Sequence, residues 1–413
     1  MTDELRLRGV LCSASFMPSW VKPVGADPRA SVAEMRQRAE LGAVQRVQAE
    51  REIEAQGFSI YRAVGELNER FGTPYYAPRP DGPARPPYWG RWTWKEATVV
   101  IATALGAPEP SWDAATNSWW FNKNHGLFDW VKAPADVAKI RVPDWPKTPQ
   151  VIAMLEAQAR WREAFPGDPA PFDQLYPVTI PGNRWVIGAG YPSFIDTGIC
   201  LLGIANFLAI LAGGGGVHDR LLADALEDKC FELITSYGDF LLARAEMQVE
   251  GWLGFGGDVS AMLSPRLYER FGNGFDVRLF DYIRKTHGAL DDAPWNLHSC
   301  GPSAHLYDVW ARHPHRMNIT MMQTRLIPGQ VARLRAALPV ARLDVTVHPG
   351  HFDFASATPE AVSRLIRQTV VDAGCREVGI HIFAVAHTAS DLPRLAENLR
   401  ACYQAMEELE AMS

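Results

Sequence analysis

The chain has 413 residues, a net charge of -6, 47% hydrophobic and 21% charged residues. These values describe an ordinary globular protein, and the acidic balance argues against a general nucleic-acid binder. No window offers about 20 uninterrupted apolar residues, so no membrane span is expected. The length fits one compact α/β barrel preceded by an extension.

The N-terminus carries Asp3, Glu4, Arg6 and Arg8 and lacks a signal-peptide core. Six cysteines, at 12, 200, 230, 300, 375 and 402, have no framework spacing. That pattern fits reduced thiols and a cytoplasmic location. Residues 1–95 read as a helical and loop extension, with the barrel over 96–413. Within the extension, Ser31 followed by Glu34 is a capping box and opens a charged helix that ends at Gly57. Its apolar stripe is weak, so this helix is either peripheral or an oligomer contact, the latter giving a homodimer. Gly72 to Tyr88 reads as an ordered surface loop, with disorder as the alternative. Of 14 tryptophans, 11 precede residue 200. Most of the group Trp89, Trp92, Trp94, Trp112, Trp119, Trp120 and Trp130 is assigned to the core, and a fraction could line an apolar pocket.

Val137 to Trp145 reads as a linker and Thr148 to Phe165 as a helix. Trp185 to Gly190 is a strand and loop; its two glycines lack the third of a dinucleotide fingerprint. Long helices follow over Asp196–Leu211 and Val217–Gln248. From Gly251 the rhythm is strand, loop, helix. Strands fall at Trp252–Phe255, Asn296–Cys300, Met317–Met321, Leu343–Val347 and Val378–Val385. Helices start at Ser264-Pro265, at Ser303 (running through Trp310), at Pro328, at Thr358-Pro359 and at Leu392. Such alternation implies a parallel sheet with crossover helices, and the number of units points to a (β/α)8 barrel.

A parallel barrel carries its active site at the C-terminal ends of its strands. The residues due there are Asp258, His298, Cys300, His348, His351 and His387. His298 and Cys300 lie two apart, so on an extended backbone they point the same way and can hold one metal ion, zinc being the natural choice. Each residue alone has a plain explanation: Asp258 and His348 as turn residues, His351 as a loop cap, His387 as an exposed loop residue. His381, inside the last strand, reads as a packed or solvent-side histidine. Only their common placement favours a metal or acid–base site.

Several segments resemble the uroporphyrinogen decarboxylase superfamily, from about residue 130 to 408. The carriers are Gly257-Asp258 with Ser264-Pro265 and Tyr268-Glu269, then His298-Ser-Cys300-Gly301. They continue with Gly350-His-Phe-Asp353, Thr358-Pro359-Glu360-Ala-Val362, and Pro393 with Glu397-Asn398-Leu399. The His-x-Cys pair is similar to that of the corrinoid-dependent methyltransferase branch, where the pair binds zinc together with a cysteine after the last strand. The resemblance implies a (β/α)8 barrel, zinc at His298 and Cys300, and a thiol acceptor activated as thiolate. It also implies a methyl group carried by cobalamin or another corrinoid on a partner protein. The third ligand departs from the pattern, because Ala384 to His387 contains no cysteine. His387 is the nearest substitute, with His351 as a fourth ligand or base. Cys375 is the alternative thiol, but it precedes the last strand. A histidine-rich site is harder than the thiolate site and admits iron. Arg79, Arg85 and Arg91 do not match the arginine motif of the true decarboxylase.

The leading expectation is therefore methyl transfer between a small-molecule substrate and a thiol or corrinoid carrier. His298, Cys300 and His387 would be metal ligands, and Asp258 and His351 catalytic groups. Arg184 would contact an anionic part of the substrate. Two alternatives stand beside it: a metal-assisted decarboxylase or lyase, and a non-catalytic barrel that binds a corrinoid, a tetrapyrrole or a protein partner.

Overall fold

The computed structural model describes residues 8–18, 31–72, 97–108, 111–113, 118–120, 126–164, 175–180, 184–243, 249–256, 259–287, 295–299, 302–315, 317–322, 329–347 and 352–412. The chain opens with strand β1 (Arg8–Pro18), followed by helices α1 (Val32–Ala55), α2 (Ile60–Phe71) and α3 (Ala97–Ala104). A short hairpin, β2 (Ser111–Asp113) and β3 (Ser118–Trp120), precedes helix α4 (Pro149–Ala164). Next come β4 (Leu175–Ile180), β5 (Arg184–Tyr191), and helices α5 (Phe194–Leu202), α6 (Ile204–Ala212) and α7 (Val217–Leu242). Strand β6 (Val249–Gly256) leads through a π-helical turn (Tyr268–Asn273) into α8 (Gly274–His287). The rest alternates: β7 (Trp295–His298), α9 (Tyr307–Ala311), β8 (Met317–Met322), α10 (Gln330–Ala337), β9 (Leu343–Val347), α11 (Pro359–Asp372), β10 (Arg376–Ala386) and α12 (Leu392–Ala411).

One eight-stranded sheet organises these elements, in the order β1-β10-β9-β8-β7-β6-β5-β4. Every neighbouring pair from β1 to β5 is parallel, and only β4 runs antiparallel, as a hairpin with β5. The protein is thus α/β with a mainly parallel sheet. Two expectations need correction. Arg8–Pro18 belongs to the sheet and not to a helical and loop extension, because β1 pairs along its length with β10. The strand preceding β5 runs antiparallel and so is not a regular βα unit.

Alternation within strands sets the two faces. In β10, Val378, Ile380, Ile382, Ala384 and Ala386 are buried, while His381, Phe383 and Val385 on the other face are half-buried. The buried set meets apolar stripes of the helices: Val362, Ile366 and Val370 of α11, and Leu395, Leu399, Cys402 and Met406 of α12. Ile60, Ala63, Leu67 and Phe71 form the matching stripe of α2. Polar anchors fix this layer. Arg335 of α10 is buried and donates to the carbonyls of Ala341, Ala373, Arg376 and Glu377 at 2.6–3.0 Å, where β9 and β10 begin.

The edge of β1 has its own device. Asn68 of α2 accepts from the Ala14 N–H at 2.8 Å and donates to the Ala14 carbonyl at 2.9 Å. In a parallel ladder both groups of one residue face the same neighbour, so the carboxamide occupies a position that another strand would take.

The capping box at Ser31 and Glu34 forms as expected, with both reciprocal bonds. The helix expected over Asp196–Leu211 is instead two helices, α5 and α6, bent by 120°. Gly203 joins them at a φ of +75°, which breaks the helix without a Cβ penalty. Among the described residues no single helix is long and apolar enough to cross a membrane. The linker expected up to Trp145 ends in the core: Trp145 is buried and donates to Ser236 of α7 at 3.2 Å. Of the tryptophan group, Trp130 is 46% exposed, against the core assignment. Trp89, Trp92 and Trp94 lie outside the described residues, as does the Gly72–Tyr88 loop beyond Gly72.

Asn68→Ala removes both bonds to the β1 edge. It is expected to destabilise the protein by about 1–3 kcal/mol in urea unfolding, since two backbone groups lose their partners. An unchanged midpoint would show that water replaces the carboxamide at no cost.

Candidate functional site

The C-terminal ends of the parallel strands define one edge of the sheet. At that edge Gly256, His298 and Thr320 stand in register on β6, β7 and β8. His298 is the last residue of β7 and is half-buried. Two residues earlier, Asn296 shares its face and accepts from Asn318 of β8 at 3.2 Å. Asn318 in turn accepts from the Arg342 N–H at 3.0 Å, which ties β7, β8 and the start of β9 together. Beyond His298, the buried Ser299 hydroxyl donates to Ser303 at 3.1 Å and braces the turn. Ser303 makes no side-chain cap, contrary to its expected role; its hydroxyl accepts from Ser299.

His387 follows β10 by one residue and is exposed. Its N–H donates to Asp391 at 2.8 Å, which fixes the turn into α12. Ser356 holds the Asp353 carboxyl below the ordinary carboxylate range, and the charge of nearby His387 adds to that effect. The loop after β9 and the end of β10 therefore meet at this edge.

His298 and His387 stand on the same edge but three strand positions apart in the order β7-β8-β9-β10. At about 4.8 Å per strand this is about 14 Å along the sheet. Among the described residues, no three His, Cys, Asp or Glu side chains gather as a metal-holding group. Cys300, Asp258, His348 and His351 lie outside the described residues, so their side chains are not placed. Arg184 begins β5, at the edge opposite to His298, and the structure does not bring it to the strand C-termini. Cys375 also lies at that opposite edge, as its sequence position implies. It is buried just before β10, with a φ of +55°, and its carbonyl accepts from Arg8 at 3.1 Å. The described cysteines are all buried and none is in a disulfide bond. Burial pushes the Cys12 thiol up to about 12, so it is a packing residue without nucleophilic character.

The face of the sheet turned away from the helices carries most of the polar strand residues, beside Phe383 and Val385. Register places Ser13 and Ser15 of β1, His381 of β10, Thr346 and Asp344 of β9, Asn318 of β8, and Asn296 and His298 of β7 on it. His381 is the member that sequence reasoning undervalued. Its Nδ1 meets the Ser13 hydroxyl at 2.9 Å and its Nε2 the Ser15 hydroxyl at 3.3 Å. Its ring also stands edge-on to Phe383, with centroids 4.8 Å apart. Burial pulls its pKa down to about 4. A neutral ring can accept from one hydroxyl and donate to the other, so this trio can hold or pass a proton. The serines at 13 and 15 alternate as strand residues do, but nothing in the sequence pairs that segment with His381; only the register of β1 with β10 does.

No protein-family model matches the sequence, and no curated protein matches it. Among solved structures, a methyltransferase from Methanosarcina mazei is similar, with a TM-score of 0.47 and 15% identity over 75% of this chain and 77% of that chain. A likeness of that degree assigns neither activity nor substrate.

Because the folded-state pKa of His381 is depressed, its contribution to stability is present above the ordinary histidine range near 6.5 and is lost as pH falls through about 4. An NMR titration is expected to place its midpoint near 4. His381→Gln is expected to lose less stability than wild type between pH 7 and pH 4. A midpoint near 6.5, with parallel stability profiles, would contradict the buried neutral ring.

Proposed function

We propose that the chain is a metal-dependent methyltransferase of the uroporphyrinogen decarboxylase type, built on a (β/α)8 barrel. One observation carries the reading. The His298-Ser-Cys300 pair begins at the last residue of β7, on the polar face and at the edge where the strand C-termini meet. In sequence, Asp258 follows β6 by two residues, His351 follows β9 by four and His387 follows β10 by one. Residues of the resemblance thus fall at or just beyond strand ends, where a barrel enzyme keeps its chemistry.

The strand order supports a sheet curling towards a barrel, in which β1 and β4 remain the two unpaired ends among the described strands. From β5 to β10 and on to β1 the strands progress in one direction, and right-handed crossovers then put the helices on one face. The opposite face is nevertheless buried: Ser13, Asn296, Asn318 and Thr346 are at most 8% exposed. A sheet that curls upon itself explains this; a flat sheet with one open face does not.

In this reading His298 and Cys300 hold zinc, with iron as the alternative metal, and His387, about 14 Å away along the sheet, becomes a ligand only where the sheet curls to bring the ends of β7 and β10 together. The donor set of imidazoles and a thiol suits zinc. When bound, the metal lowers the pKa of a thiol and keeps it nucleophilic at neutral pH. Asp258 orients the group beside the metal or a cationic part of the substrate. His351 is a further ligand or a general base. His298 is aimed by its strand end and by the Ser299–Ser303 brace behind it. The methyl group would arrive on, or leave to, a corrinoid held by a partner protein.

The test is methyl transfer between methylcobalamin and a small thiol, followed by the cobalamin spectrum. Wild type is expected to turn over, and His298→Ala to lose at least 100-fold while keeping its fold. Release of carbon dioxide from a carboxylated substrate, without dependence on a corrinoid, would replace this reading with a lyase.

A further inference from the structure

A second polar cluster lies inside the helical layer, where α5 meets α8. Helix α5 packs on the π-helical turn and α8 through Phe194, whose ring stacks on Phe275 at 5.5 Å and lies 6.0 Å from Phe271. Next to this aromatic contact sit two acids, Asp196 on α5 and Asp276 on α8. They are 8% and 3% exposed and act on each other electrostatically. The Ser193 hydroxyl, the N-cap of α5, donates to Asp196 at 2.7 Å and accepts its N–H at 3.0 Å. Asp276 differs: its Oδ1 is sealed from solvent and meets no donor.

Two further sealed atoms without hydrogen-bond geometry belong to residues only 1% exposed: the Tyr268 hydroxyl, which feels Asp276, and the Trp310 Nε1 beside that hydroxyl. Burial and the Asp276 charge push the Tyr268 hydroxyl well above its ordinary value, and the nearby Trp310 N–H moderates that. A contiguous row results: Trp310, Tyr268, Asp276, Asp196. The π-helical turn shapes it. A Cβ on Gly272 would lie 2.5 Å from the Tyr268 ring, so glycine lets that ring lie on the turn. Such turns often mark functional positions.

The groups that titrate against Asp276 are Asp196 of α5 and Tyr268 of the turn, both acids; α9 contributes Trp310, which does not titrate. The cations of the same segment are committed elsewhere. Arg270 pairs with Glu227 and Asp224 of α7, and Arg278 pairs with Asp228. An ionised carboxylate with a sealed, donor-less oxygen beside a second carboxyl is strongly disfavoured, and a proton relieves both penalties. We propose that Asp276 keeps its proton at neutral pH, and that this proton is a condition for seating α5 on the π-helical turn. The pair is an alkaline-sensitive latch. It is independent of the methyltransferase reading, although α5 starts three residues after β5 and so lies close behind the strand C-termini.

The sign follows from linkage. Burial and Asp196 push Asp276 well above its ordinary range. The stability carried by the proton is therefore full below the ordinary carboxylate range and is lost as pH rises towards and through the raised value.

Infrared difference spectra of the full chain, wild type minus Asp276→Asn at pH 7, test this alongside urea unfolding from pH 5 to 10. Wild type is expected to carry a protonated-carboxyl carbonyl band that the variant lacks. Its folding equilibrium is expected to weaken relative to the variant by up to about tenfold per pH unit within the titration window. Absence of the difference band, or parallel pH profiles, would overturn the proposal. Should Asp276→Asn not fold, Asp196→Asn decides: removing the neighbouring charge is expected to make the band disappear at a lower pH than in wild type. An unchanged titration of the band would overturn the coupling of Asp276 to Asp196 and with it the latch.

Discussion

The parallel pairing of β1 with β10 is the constraint on which the rest depends. It joins the first described strand to the last across 368 positions of sequence, as in the register of Ser13 with His381. With that pair made, strands β5 to β10 and β1 progress in one direction, and their C-terminal ends share one edge. The helices then occupy one face, where β10 contributes Ile380, Ile382 and Ala384 and β1 contributes Cys12 and Ala14. The other face receives the remaining alternating set, which combines polar residues such as Ser13 and His381 with Phe383 and Val385. The same pairing brings His381 between two serines that are local to it only through the fold.

That dependence explains which parts were legible in the sequence. The C-terminal half alternates strand and helix with clear punctuation. The strand Leu343–Val347 lies where its alternation predicts, and the helix after Thr358-Pro359 begins at its cap. Local signals suffice there, because each unit packs on the next. Strand β1 lacks such a signal: Gly9, Cys12, Ser13, Ala14 and Ser15 are small, and its partner is the end of the chain. The break at Gly203 hides within a run whose hydrophobicity alone argues for one helix. At Ser303 the residue type favours a cap, but its hydroxyl accepts from Ser299, four residues earlier in the same turn.

The site divides along the same line. The motif at His298 could be placed at a strand end from sequence because a turn signal, Gly301-Pro302, follows it. His387 falls beyond the last strand as its position implies, yet its exposure and its distance along the sheet from His298 are properties of strand order alone. Arg184 looked available to a substrate until direction was known: the parallel pairing of β5 with β6 puts it at the far edge. His381 was undervalued because its importance rests on a strand that could not be recognised. Asp276 likewise gave no warning, since its neighbours Asp196 and Trp310 belong to other helices.

The central claim is that the strand C-termini carry a metal site built on His298 and Cys300. The most direct measurement is metal content per chain, by elemental analysis of protein purified without added metal, in wild type and in Cys300→Ser. The account predicts about one metal per wild-type chain and its loss in the variant, with zinc as the expected element. No metal in wild type, even after reconstitution, or full retention in Cys300→Ser, would contradict it.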